Sequence, residues 1–192
     1  MRSKTWEKGF TIFEILVTLA VAATISALIG TSVGKPARAM HEYQVRAAAD
    51  SEARSALATV LNLLRSAVPG SVRITNDDPD DGASTNKPNT HISFIYRPSN
   101  QAAGTASPTY DIYLTNVSPA QIRMKATSAN GTTVVLSPKT LASNVAYLQF
   151  NQSPADQTLI DVSLKISVPL DGSGRTHDVE ILNQYVRVGS AP

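Results

Sequence analysis

Twenty consecutive residues, Ile15 to Gly34, carry no charge (ILVTLAVAATISALIGTSVG). At about 1.5 Å per residue, a helix over this run spans roughly 30 Å, the thickness of one hydrocarbon core. Residues 1–9 (MRSKTWEKG) are short, polar and net positive. A secretory signal peptide fits poorly, because its apolar core is typically about 7–15 residues long. Two readings remain: a plain membrane anchor, or a processed anchor that assembles with other helices. The apolar stretch begins at Phe10, so Glu14 interrupts its start. A carboxylate deep in a bilayer costs about 2.5–3.5 kcal/mol on insertion scales and normally has a partner. The alternative places Glu14 at headgroup level, solvated, with the helix beginning after it.

The rest of the chain is electrically neutral. The whole chain has 17 basic and 15 acidic residues and a net charge of +2. Arg2, Lys4 and Lys8, against Glu7, supply all of that excess. A neutral body offers no general electrostatic footprint for nucleic acid, so none is expected as a partner. Charged residues are only 17%, against about 25% in an ordinary soluble domain, and the apolar segment accounts for most of the deficit. With no cysteine, a disulfide framework, a thiolate zinc site and a cysteine nucleophile are excluded.

Lys35-Pro36 closes the apolar run and predicts a kink or break. From Ala37 to Val68 the pattern is helical again. Met40, Tyr43, Ala47, Ala53, Leu57, Val60, Leu61, Leu64 and Val68 recur at three- and four-residue steps. Glu42–Arg46 and Asp50–Arg54 are i,i+4 pairs in the favourable order. Pro69-Gly70 ends the helix.

After Gly70, β-prone runs alternate with turn signals. The expected strands are 72–75, 91–97, 110–115, 121–127, 132–136, 146–151, 159–168 and 177–188. In the seventh, Ile160, Val162, Leu164 and Ile166 alternate with Asp161, Ser163, Lys165 and Ser167, the mark of a half-buried antiparallel strand. Asn130-Gly131 and Asp171-Gly172-Ser173-Gly174 read as hairpin turns. Segments 76–90 and 98–109 read as polar, mobile surface loops. The expected fold class is α+β, one long helix against antiparallel sheet.

The stretch KGFTIFEILVTLAV resembles the leader and N-terminus of the type IV pilin family, which includes the type II secretion pseudopilins. The resemblance implies cleavage by a prepilin peptidase between Gly9 and Phe10, with N-methylation of Phe10. It also implies that Glu14 acts in assembly, by neutralising the Phe10 amine of a neighbouring subunit. Lys8 and Thr11 suit the positions they occupy. Many family members carry a proline within the membrane segment, whereas Pro36 lies near its end. The implied organisation is a leader at 1–9, a membrane-spanning assembly segment at 10–36, an amphipathic helical half at 37–70 and a periplasmic β-domain at 71–192. LASNVAYLQF, TLIDVSLKISV, a glycine-rich turn and HDVEILNQYVRV are similar in order to the J-type minor pseudopilins. Glu14 argues against the K-type, which characteristically lacks this glutamate.

The implied function is therefore structural rather than enzymatic: a minor subunit of the pseudopilus, near its tip, anchored in the bacterial inner membrane. Implied partners are other pilin-like subunits, the prepilin peptidase, an inner-membrane platform and a cytoplasmic ATPase. A minor pilin of a type IV or competence pilus is the alternative, and a membrane-anchored enzyme or binding module the third class. No catalytic site is legible. Ser173 lacks the nucleophile-elbow pattern, and no glycine-rich phosphate loop is present. His41, His91 and His177 lack ligand spacing and read as surface or helix-face residues. Tyr147 and Tyr185 read as core or sheet aromatics. Asp77, Asp78, Asp80 and Asp81 could gather oxygens for calcium, but the EF-hand pattern fails, with Asp81 at position six and Lys87 at position twelve. No cofactor is expected beyond that calcium option.

Overall fold

A computed structural model describes residues 11–80, 87–97, 106–129, 133–170 and 174–189. The chain is α+β. One helix, α1 (Ile12–Arg65, 54 residues), precedes eight strands. Two compact units are present, Met1–Gln44 and Val45–Pro192.

The first unit holds the N-terminal part of α1. The break expected at Lys35-Pro36 is absent: Pro36 lies inside an uninterrupted helix. Proline removes one backbone donor, so a single hydrogen bond is forfeited while the turns on either side remain bonded. The alanine-rich sequence that follows favours continued helix. Met40 and Tyr43, expected on a packed stripe, are 63% and 71% exposed.

In the second unit, the helix buries Ala49, Ala53, Ala56, Leu57, Val60 and Leu64, a three- and four-residue repeat with small residues at its upper end. The helix stops at Arg65, where Ser66 and Ala67 N–H groups bond the carbonyls of Leu63 and Leu64. Gly70 then turns the chain at φ 79°.

The strands are β1 (Arg73–Thr75), β2 (His91–Ile95), β3 (Thr109–Leu114), β4 (Ile122–Thr127), β5 (Val134–Ala142), β6 (Val145–Gln152), β7 (Leu159–Pro169) and β8 (Thr176–Arg187). All eight lie where alternation placed them, with one large difference. β5 runs on to Ala142, through Pro138. The β4–β5 register skips between Met124↔Lys139 and Ala126↔Leu136, so β5 carries an extra residue there. Pro138 sits at this bulge in an edge strand, where a missing N–H is tolerated.

Two antiparallel sheets result, ordered β1-β2-β3-β4-β5 and β6-β7-β8. They meet at β6, where the N–H groups of Phe150 and Val145 donate to the carbonyls of Asn89 and Ala120, both at 2.9 Å. Ile92, Phe94, Ile112, Ile122, Leu148, Phe150, Ile160, Val162, Leu164 and Ile166 form the core with the helical residues. Past β8, Gly189 has φ +73°, and a Cβ there would lie 2.7 Å from Pro69 Cγ. Only glycine lets the end of β8 close against the turn that follows α1.

Candidate functional site

Two regions hold the candidate site residues: the head of α1 and the acidic segment before β2. Gly9 and Phe10 lie outside the described residues, as does Asp81.

At the head of α1, Thr11 and Glu14 bond reciprocally. Glu14 N donates to Thr11 Oγ1 at 3.2 Å, and Thr11 N donates to Glu14 Oε2 at 2.9 Å. The Thr11 hydroxyl also donates to Oε2, at 3.0 Å. This is a capping box: Thr11 precedes the helix, and Glu14 reaches back to satisfy a donor that has no partner within the helix. The Thr-x-x-Glu spacing was visible in TIFE as a helix-start signal, and a reading centred on Glu14's membrane depth passes over it.

Behind the cap, Ile12–Gly30 is long and apolar enough to cross a membrane. Ile12, Phe13, Leu16, Leu19, Leu28 and Ile29 each expose more than half their surface. A helix apolar all round needs lipid or other helices to cover it. Its hydroxyls are already satisfied internally. Thr18 donates to the Glu14 carbonyl at 2.6 Å, Thr24 to Ala20 at 2.8 Å and Ser26 to Ala22 at 2.8 Å. In hydrocarbon these bonds remove the main cost of burying a hydroxyl.

The described part of the acidic segment is folded onto the sheet rather than loose. Asp78 is buried; its carboxylate accepts from the backbone N–H of Asp80 and of Asn116, both at 3.0 Å. Asp80 Oδ2 accepts from the Tyr113 hydroxyl at 2.5 Å and from Arg123 at 3.3 Å. Lys125 Nζ bonds the Pro79 carbonyl at 2.6 Å and lies 3.5 Å from Asp80 Oδ1. The cross-strand register Tyr113↔Arg123 and Asp111↔Lys125 assembles these donors on one face of β3 and β4. No sequence signal announces them, since Asp80 and Arg123 are brought together only by the sheet. Asp77 faces His91 instead, its Oδ2 3.7 Å from His91 Nδ1. These carboxylates act as a clasp, and among the described residues no set of three or more His, Asp or Glu converges on one point.

Burial pushes the Asp80 carboxyl upward, but hydrogen bonds from Tyr113 and Arg123 and the Lys125 charge outweigh it, holding the group below its ordinary 3.8. Burial, then the bond to Asp80, pushes the Tyr113 hydroxyl well above its ordinary 10.0. A depressed carboxyl contributes stability that is present above 3.8 and lost as pH falls through the lower folded value. A raised phenol contributes stability that is present below 10.0 and lost as pH rises through the higher folded value. Denaturation of the chain in detergent micelles at a series of pH values is expected to show both limbs. Asp80→Asn should flatten the acid limb and Tyr113→Phe the alkaline one. An acid limb unchanged in Asp80→Asn would count against the clasp.

His91 is not a surface residue. It is buried, with Nε2 3.1 Å from Asp111 Oδ1 and Nδ1 2.9 Å from Thr75 Oγ1. A carboxylate only accepts, so Nε2 carries the proton toward Asp111, while Nδ1 faces the Thr75 hydroxyl and the Asp77 carboxylate. The ring packs edge-on to Tyr113 at 6.1 Å and ties β1, β2 and β3 together. His177 Nε2 lies 3.5 Å from Asp50 Oδ1.

In comparisons with known proteins, no family model, curated protein or solved structure matches the chain.

Proposed function

We propose that the chain is a minor pseudopilin of a type II secretion system, a structural subunit that acts by assembly rather than catalysis. The observation that carries this reading is the head of α1. An apolar, membrane-length helix with its large side chains uncovered begins at a Thr11–Glu14 cap, directly after the Gly9-Phe10 pair of a basic leader. An antiparallel β-domain follows it in the chain. Cleavage after Gly9 removes Arg2, Lys4 and Lys8 and creates an ammonium on Phe10, one residue before the cap. Glu14 of one subunit then neutralises the Phe10 amine of a neighbour, because burying the two charges as a pair costs far less than burying either alone.

On this reading the partners are other pilin-like subunits, a prepilin peptidase and an inner-membrane platform, and the β-domain lies in the periplasm. A minor pilin of a type IV or competence pilus has the same chemistry at Glu14. The genes flanking this one distinguish the two machines.

The deciding measurement is the N-terminus of membrane-extracted protein, by intact mass and peptide sequencing. A chain that begins at N-methylated Phe10 is the expected result. A chain that still begins at Met1 in cells with active prepilin peptidase overturns the proposal and leaves residues 10–34 as a simple anchor.

A further inference from the structure

We propose that Asp161 and Tyr185, on the outer face of the three-stranded sheet, form a recognition site for a guanidinium group carried by a partner polypeptide. The register places Asn151, Asp161 and Tyr185 in one row across β6, β7 and β8. Their neighbours Ile160, Val162 and Val186 point into the core, so this row faces outward. Asp161 Oδ1 is buried and has no hydrogen-bond partner.

Cations on the same sheet are engaged elsewhere. Arg187 Nη2 lies 3.4 Å from Asp156, and Lys165 Nζ lies 2.9 Å from Asp178. A carboxylate oxygen that is desolvated and unbonded costs stability unless a charge arrives from outside the chain. The surface around it is an open pocket lined by Asn151, Gln152, Ser153, Pro154, Asp161 and Tyr185, rich in acceptors. Tyr185, the cross-strand partner of Asp161, is 63% exposed, so its ring is open to a stacking partner.

That combination selects a planar cation. A guanidinium offers a fork of donors to the carboxylate, stacks on a phenol ring and is less strongly hydrated than an ammonium. A metal ion is the weaker fit, since no second carboxylate or imidazole converges here among the described residues.

The site is testable on the full chain in detergent micelles, labelled with fluorotyrosine. Six tyrosines give six resonances, and Tyr185→Phe identifies the relevant one. Titration with Nα-acetylarginine amide is expected to shift the Tyr185 line saturably, and the neutral citrulline amide to leave it in place. Asp161→Asn should weaken the response about tenfold or more, as expected for loss of a charge-assisted bond. If Asp161→Asn alters the circular dichroism, Tyr185→Leu read by calorimetry decides instead, with lost binding supporting the site and unchanged binding overturning it. No saturable shift, an equal response to citrulline, or an undiminished response in Asp161→Asn overturns the proposal. Tighter binding of Nα-acetyllysine amide overturns the choice of guanidinium.

Discussion

Phe150→Ala is expected to destabilise the β-domain by about 3–5 kcal/mol, the usual cost of deleting a buried aromatic ring. Phe150 is fully buried on β6, the strand at which the two sheets meet. Its side chain fills the core shared by both sheets and the C-terminal part of α1. Its backbone N–H bonds Asn89 across the junction, so the surrounding strands cannot collapse into the vacated space without breaking that bond. Total stability of a domain this size is about 5–15 kcal/mol, so the loss is a large fraction of it. A thermal melt of the chain in micelles should show a midpoint lowered by about 10–15 °C. Val135→Ala is the control. It removes an exposed side chain on edge strand β5 and should change stability by less than about 0.5 kcal/mol. A Phe150 variant that melts with the wild type would mean that the junction is not the centre of the core.

The second large effect is on assembly. Glu14→Ala is expected to insert in the membrane normally and to fail to enter filaments. Two roles converge on this carboxylate, and Glu14→Gln separates them. Glutamine still serves in a capping box, so it preserves the bond to Thr11. Loss of the cap alone costs about 1 kcal/mol. Glutamine cannot neutralise an ammonium, and an unpaired charge within a helix bundle in lipid costs several kcal/mol. The proposed function therefore requires Glu14→Gln to fail nearly as completely as Glu14→Ala when filament fractions are probed for the subunit. Normal incorporation of Glu14→Gln would reduce Glu14 to a helix cap and remove the charge-pairing mechanism.

Local chemistry made much of the architecture legible. The apolar run, the alanine-rich helix and the two-residue alternation of strands such as β7 each report on their own neighbourhood, because period and propensity act over a few residues. Of the kink or break expected at Pro36, the break does not occur, for a related reason. A proline penalty is local and finite, and the continuing turns on both sides outweigh one missing bond. The expected strand 132–136 stops short of the observed β5, because the bulge that accommodates Pro138 exists only once β4 lies beside it.

The membrane-competent segment and its Thr-x-x-Glu cap are properties of consecutive residues, so reading along the chain suffices to locate them. The clasp of Asp80 with Tyr113, Arg123 and Lys125 brings together residues up to 45 positions apart. The burial of His91 between Thr75 and Asp111 and the orphaned oxygen of Asp161 are likewise invisible until the strands pair. Hydrogen bonds and desolvation depend on distances of a few ångströms in space, and only the folded sheet brings those atoms together.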